Sequence, residues 1–360
     1  MSARACKGIA VVGVFLLVVI TGCTPPVEEG VAQPKAAEEK APVRPGVKTT
    51  TETAVTREGT PVMEPAKPMA LALKFRMGDI DRYKSVSLMS KDYTYERPSS
   101  EEENKQEHSE VLRGMTFSQE ITHVGEDGSA IAEIKVEGLR YYSEVSKEVK
   151  YDFDSSETGS RSEPLYNLIG QMYTIRLYPD GTAKLVDAAK AKTAVTEGTA
   201  AVIAERFFKE DLVEARHSVP ALFGRTQTPV ALGQQWSVVV PGPRGMLQAR
   251  QYNKVYHVAD IKDKGGREIV TVEMKASEVK TTDKEGKSTD FFKDMFKGGS
   301  SYSGEGELIF DLDRGQALKS REKLEASWLA TDPDYKEEGG PGPDVLMMAF
   351  EQSSSLEKLD

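Results

Sequence analysis

Apolar side chains recur at every second position through most of the chain beyond residue 69. They come in runs of about five to ten residues, each ended by a turn rich in Gly, Asp or Pro, which is the pattern of half-buried strands in antiparallel hairpins. Leu71, Leu73 and Phe75 alternate with smaller or charged residues up to the turn at Gly78-Asp79, and Ile80–Ser90 follows as a second strand. The polar run Arg97–Glu110 predicts a loop. Met115–Val124 and Ala130–Glu137 flank Gly125–Ser129, which predicts a hairpin. Leu139–Phe153, rich in Tyr and Val, reads as one further strand, Pro164–Gly170 as a short helix, and Met172–Tyr178 with Ala183–Val186 as a hairpin about Pro179–Thr182.

One segment keeps a helical period. Within Glu197–His217, Val202, Ile203, Phe207, Phe208, Leu212 and Val213 recur at steps of four and five and leave a polar opposite face. Beyond it the strand pattern resumes in Pro229–Val240, Tyr252–Ile261, Arg267–Ala276, Gly306–Leu312 and Ala317–Trp328. Strands and turns before and after the helix stand at near-equal offsets, which fits either a duplicated meander or the turn chemistry that any two meanders share. Thr331–Pro343 predicts a loop, and Asp344–Glu351 a short apolar helix with Asp344 as its N-cap. The expected fold is mainly β (α+β): antiparallel β-meanders in curved sheets or a half-barrel, with one long helix at about 197–217. The globular domain is expected over 69–330, with halves 69–195 and 225–330, followed by the loop and short helix of 331–360.

The first residues follow different rules. The apolar run Gly8–Ile20 is too short to span a bilayer core, which needs roughly 20 residues, and Arg4 and Lys7 precede it as in a secretory signal. Ile20-Thr21-Gly22-Cys23 resembles the bacterial lipobox. That resemblance implies cleavage after Gly22, diacylglyceryl transfer to the Cys23 thiol and acylation (palmitate) of the new amine. It makes 1–22 a signal peptide and places the chain at the cell envelope, membrane-anchored and facing the periplasm. Thr24 stands where lipoproteins kept in the inner membrane often carry Asp, which favours the outer membrane. Residues 24–68 are rich in Pro and Glu and lack aromatic residues, so they read as a disordered tether with a mean span of roughly 40 Å.

Charge and cysteine usage exclude several classes. Acidic residues number 57 against 47 basic, net −10, and loss of the signal removes Arg4 and Lys7. With no basic cluster above that background, nucleic acid is a poor partner. The two cysteines are Cys6, in the signal, and Cys23, so a disulfide, a Cys–metal site and a Cys nucleophile are not expected. The four histidines show no ligand spacing, phosphate and nucleophile-elbow motifs are missing, and Asp311-Leu-Asp313-Arg-Gly315 reads as a turn. Accordingly no catalytic residue, metal or cofactor is expected.

Two apolar clusters remain. Phe291, Phe292, Met295 and Phe296 would form one face of a helical turn, and Leu346, Met347 and Phe350 part of another. Each is either a plug for the end of the core or a lid and lining for a hydrophobic ligand, since Met- and Phe-rich surfaces adapt to apolar partners. The order of Leu73–Asp79 with Arg82-Tyr83, Tyr178–Gly181, Pro229–Trp236 and Gly304–Gly315 resembles a group of uncharacterised bacterial envelope lipoproteins over about residues 70–330. That resemblance brings no catalytic residue with it. In plan the chain is also similar to half-barrel lipoprotein carriers. The leading expectation is therefore a non-catalytic envelope lipoprotein, a tethered binding or structural module with a protein partner. The alternatives are a carrier of lipid or another hydrophobic ligand, and an enzyme without a recognisable motif.

Overall fold

A computed structural model describes residues 70–98, 104–241, 251–279, 297–331 and 342–360. The expected signal, Cys23 and the tether lie outside the described residues, as do Phe291, Phe292, Met295 and Phe296. The alternating segments form strands β1 (Ile80–Glu96), β2 (Lys105–Val124), β3 (Ala130–Val145), β4 (Glu148–Asp154), β5 (Met172–Leu177) and β6 (Ala183–Asp187). Helices α1 (Ala189–Lys192), α2 (Gly198–Phe207) and α3 (Glu210–His217) follow. Then come β7 (Gln235–Pro241), β8 (Gln251–Asp263), β9 (Glu268–Glu278), β10 (Lys297–Asp311), β11 (Gln316–Thr331) and β12 (Val345–Leu359).

All twelve strands belong to one antiparallel sheet in the order β6-β5-β3-β2-β1-β12-β11-β10-β9-β8-β7, with β4 paired to β3. The sheet is not closed, since β6 and β7 end it. The halves expected at 69–195 and 225–330 meet where β12 pairs with β1 on one side and β11 on the other.

Five local readings are corrected. Val345–Phe350 is the start of a strand, not a helix. The run is too short for periodicity to separate the two, and its burial alternates, with Met347 and Ala349 exposed and Met348 and Phe350 buried. The expected N-cap at Asp344 falls with it. The helical segment lies where expected but in two pieces: Phe208 ends α2 and Lys209 is extended (φ −63°, ψ 133°). Successive residues on one helix point about 100° apart, so the break lets both Phe207 and Phe208 be buried. Leu139–Phe153 holds a turn at Ser146 (φ 49°) and Lys147 (φ 68°) between β3 and β4. Both residues take the left-handed conformation of a tight hairpin without the Gly or Asn that usually marks it. Finally, Leu71–Phe75 is extended but outside the sheet, bonded through Leu73 N to Pro179 O (2.8 Å) and Lys74 N to Gly315 O (2.9 Å). Alternation reports one buried side, which a strap across strand ends also has. The polar loop after Arg97 is shorter than expected, because β2 begins at Lys105.

The sheet curls. Lys254 on β8 and Glu322 on β11 form an ion pair at 2.6 Å although β9 and β10 lie between them. In a flat sheet, strands three apart are separated by about 14 Å, more than the combined span of these two side chains. Glycines in β10 permit the bend. A Cβ on Gly306 would lie 2.7 Å from Arg321 O and 3.0 Å from Met274 Cε. One on Gly304 would lie 2.5 Å from Leu324 Cδ2. Small residues let the backbone fold inward over a concave face.

That face carries two separate cores. Strands β1–β6 pack against Ile203, Ala204, Phe207, Phe208 and Val213 of the helices. Strands β8–β12 pack largely on themselves and on Leu71, Val219 and Leu222. Each fully buried aromatic or aliphatic side chain contributes about 1.5–3 kcal/mol. Gly306→Val is expected to destabilise the protein by about 1–3 kcal/mol in urea unfolding. Gly159→Ala, with nothing within 4 Å of the added Cβ, should change stability by less than about 0.5 kcal/mol.

Candidate functional site

Between the two cores the concave face is lined by small and polar side chains. Strand alternation puts Tyr83, Ser85, Ser87 and Met89 of β1 on this face, beside Lys358, Leu356, Ser354 and Gln352 of β12. Ser354 is exposed, and Ser85, Ser87 and Gln352 are half-buried. A serine is too short to fill the space above a sheet, so these positions leave a seam. One row crosses it: Tyr141, Arg113, Ser87, Ser354, Glu322, Gly306, Met274, Tyr256 and Trp236 are successive partners on nine strands. Aromatic residues stand at its ends, with Trp236 stacked on Tyr256 at 5.5 Å and Tyr141 edge-on to Phe207 at 6.3 Å. Polar groups occupy the middle.

At one end, the seam meets a cavity of about 320 Å³ whose lining includes Phe75, Tyr83, Phe117, His217, Gln316 and Lys358. Its polar side chains pair with one another. Lys358 Nζ donates to Gln316 Oε1 (2.7 Å) and meets Asp81 Oδ1 at 2.5 Å. Gln316 Nε2 donates to Asp81 Oδ2 (2.5 Å) and Tyr83 Oη (3.3 Å). Burial pushes the Tyr83 phenol well up, the Asp81 carboxylate adds to this, and the Gln316 hydrogen bond opposes it. The phenol therefore stays protonated at neutral pH. Such an arrangement holds its three strands in register, and its groups are committed to one another.

His217, at the end of α3, is buried with Nε2 2.8 Å from Tyr173 Oη and its ring 4.9 Å from Phe117. Burial drives its pKa well below 6.5, and Arg216 adds to the effect. Arg216 itself donates to Tyr173 Oη (3.3 Å) and Phe207 O (2.9 Å).

The sequence-predicted residues separate. Phe350 is buried in the second core, and Leu346, half-buried, shares its strand parity. Met347 points the other way, 38% exposed, into a convex-side groove of about 470 Å³ that also contains Leu329, Thr94 and Ala349. A helix would have brought these side chains together, whereas a strand divides them. His123 and His257 are strand residues, as expected. Among the described residues, no group of three His, Cys, Asp or Glu could hold a metal ion, and no helix is long and apolar enough to cross a membrane.

Sequence reading missed Arg113, Lys254 and Glu322. A signal for them existed, because each is a charge at an inward position of an alternating strand. Arg113 stands between Val111 and Met115, Lys254 between Tyr252 and Tyr256, and Glu322 two positions before Leu324.

No family model and no curated protein matches the chain. Among solved structures it is similar to one described as lipid–protein interactions in lipovitellin, at 11% identity and a TM-score of 0.41, over 80% of this chain. The chain spans only about a quarter (26%) of that lipovitellin chain. It is also similar to DynF from the dynemicin biosynthesis pathway of Micromonospora chersina (11% identity, 84% of this chain and 92% of the other, TM-score 0.12). A third likeness is to OccK11 (OpdR) of Pseudomonas aeruginosa (8% identity, 82% and 100%, TM-score 0.18).

Two outcomes follow from the site's electrostatics. Lys254→Met leaves Glu322 without its cation and is expected to cost about 3 kcal/mol in urea unfolding. The double variant Lys254→Met/Glu322→Leu should recover at least half of that loss in a double-mutant cycle. For His217 the folded pKa lies below the unfolded 6.5, so the unfolded chain binds the proton first and stability falls as pH drops below 6.5. Relative to His217→Gln, the wild type should lose up to about 1.4 kcal/mol per pH unit between pH 6.5 and 5, read from urea midpoints.

Proposed function

We propose that this chain is a non-catalytic binding module of the bacterial cell envelope, held by lipid on Cys23, which takes a hydrophobic or amphiphilic ligand along its seam. One observation carries the ligand reading: an exposed serine, Ser354, at the middle of the concave face of a sheet whose two flanks are each packed into a core. A curled sheet gains by filling its inner face, and here the filling stops at Ser85, Ser87 and Ser354. Met89 and Leu356, both half-buried, share this inner face, with polar groups in the same stretch, which is the usual make-up of a small-ligand site. Methionine side chains adapt to chains of varied shape.

The anchor rests on Ile20-Thr21-Gly22-Cys23 and the apolar run before it. Two or three acyl chains on Cys23 give stable attachment where one gives only marginal binding. The Pro- and Glu-rich residues 24–68 would then hold the sheet away from the bilayer surface.

Both halves are testable on the full chain expressed in a bacterial host. Cys23→Ser is expected to move the protein from the membrane fraction to the soluble periplasmic fraction with its circular dichroism unchanged. Retention in the membrane would overturn the anchor. A fluorescent single-chain amphiphile should bind saturably, and Ser354→Phe, which fills the seam, should weaken it by about tenfold at unchanged secondary structure. Absence of saturable binding, with crosslinking from the seam to a protein instead, would overturn the ligand reading in favour of a protein partner.

A further inference from the structure

Several inward-facing cations of the sheet have partners, among them Lys91 on β1, which lies 6.0 Å from the centre of the Phe350 ring. Lys254 is matched by Glu322, and Lys358 by Asp81. Among the described residues, Arg113 has no paired carboxylate, and its Nε has no acceptor. It lies on β2 between the apolar Val111 and Met115, opposite Ser87 on one side and Tyr141 on the other. Its Nε is shielded from solvent and has no acceptor, while its Nη groups, also without a partner, keep contact with solvent. A guanidinium cannot shed its proton to escape this and offers donors with no capacity to accept.

Two more guanidiniums stand within electrostatic reach, Arg206 on α2 and Arg216 on α3. Burial disfavours the charge on Arg113, Tyr141 opposes that effect, and Arg206 and Arg216 reinforce it. Arg216 has neutral partners, the Tyr173 hydroxyl and the Phe207 carbonyl. Among the described residues no carboxylate is paired with Arg113, Arg206 or Arg216. In a chain with 57 acidic against 47 basic residues, a guanidinium opposite Ser87 with no carboxylate paired to it, and two more guanidiniums near enough to repel it, favour a negative charge from outside the chain. Arginine suits it, because its planar fork matches the two oxygens of a carboxylate or phosphate.

We propose that Arg113, with Arg206 and Arg216, forms an oxyanion site at the edge of the seam. It receives a carboxylate or phosphate group, with Arg113 making the direct contact and the other two adding attraction. This rests on the seam as a ligand site, and it makes the ligand an anionic amphiphile with its head at Arg113 and its chain along Ser87, Ser354 and Leu356.

The test is calorimetric titration of the full chain with four probes: dodecyl phosphate, dodecanoate, the neutral dodecyl maltoside and inorganic phosphate. The anionic amphiphiles are expected to bind at least about tenfold more tightly than the neutral one. Arg113→Gln should remove that preference without changing dodecyl maltoside binding. Arg113→Lys should retain part of it, and Arg206→Gln, at an exposed position, should weaken it two- to threefold with the fold intact. Equal binding of neutral and anionic amphiphiles by the wild type, or an anionic preference that survives Arg113→Gln, would overturn the oxyanion site while leaving the seam as a hydrophobic site. Inorganic phosphate bound in an Arg113-dependent way, with no amphiphile bound, would support the oxyanion site and overturn the hydrophobic seam. No binding of any probe would overturn both.

Discussion

The pairing of β1 with β12 is the interaction on which the rest of this structure depends. It joins fifteen residue pairs, from Arg82↔Leu359 to Glu96↔Val345, and it makes one sheet of two meanders. Without it each meander would present a long unpaired edge, which is an aggregation hazard. A slip of one residue would turn every side chain of β12 to the opposite face. The bonds from Lys358 to Asp81 and Gln316 oppose such a slip, because they tie β12, β1 and β11 together at one end of the register.

The two lobes then satisfy the same requirement by different means. In the first, the inner face is covered by α2 and α3, and the break at Phe208-Lys209 lets two adjacent rings be buried together. The second has less helical cover, so the sheet bends over itself, using Gly304 and Gly306 where any Cβ would collide. Lys254 and Glu322 span the bend and neutralise each other. Neither device extends to the centre, where β1 and β12 supply serines and a glutamine.

Polar groups on the inner face are therefore informative by contrast. Those at the cavity end, Asp81, Gln316 and Lys358, are satisfied by one another and serve the register. The Lys254–Glu322 pair is satisfied and serves the curl. Arg113 and Glu322 border the serines from opposite sides, and of the two only Arg113 has a buried donor, Nε, without an acceptor among the described residues. A buried donor without an acceptor is unfavourable, and here it adjoins the serines of the inner face.

Alternation and turn chemistry were enough to read a mainly β fold, the hairpins at Gly125–Ser129 and Pro179–Thr182, and the position of the helical segment, since each depends on neighbours within a few residues. The charges at Arg113, Lys254 and Glu322 stood in plain view at inward positions, but their partners lie on other strands, so the sequence could not separate the matched from the unmatched. Two questions were settled only in three dimensions. Whether Val345–Phe350 is helix or strand was decided by two flanking strands with free edges, β1 and β11, more than a dozen residues away in the chain. Whether the inner face is filled or open was decided by the curl of the sheet and the reach of the helices. Local pattern shows which side of a segment is buried. What it is buried against is set by strand pairing between distant parts of the chain, and local periodicity carries no record of that.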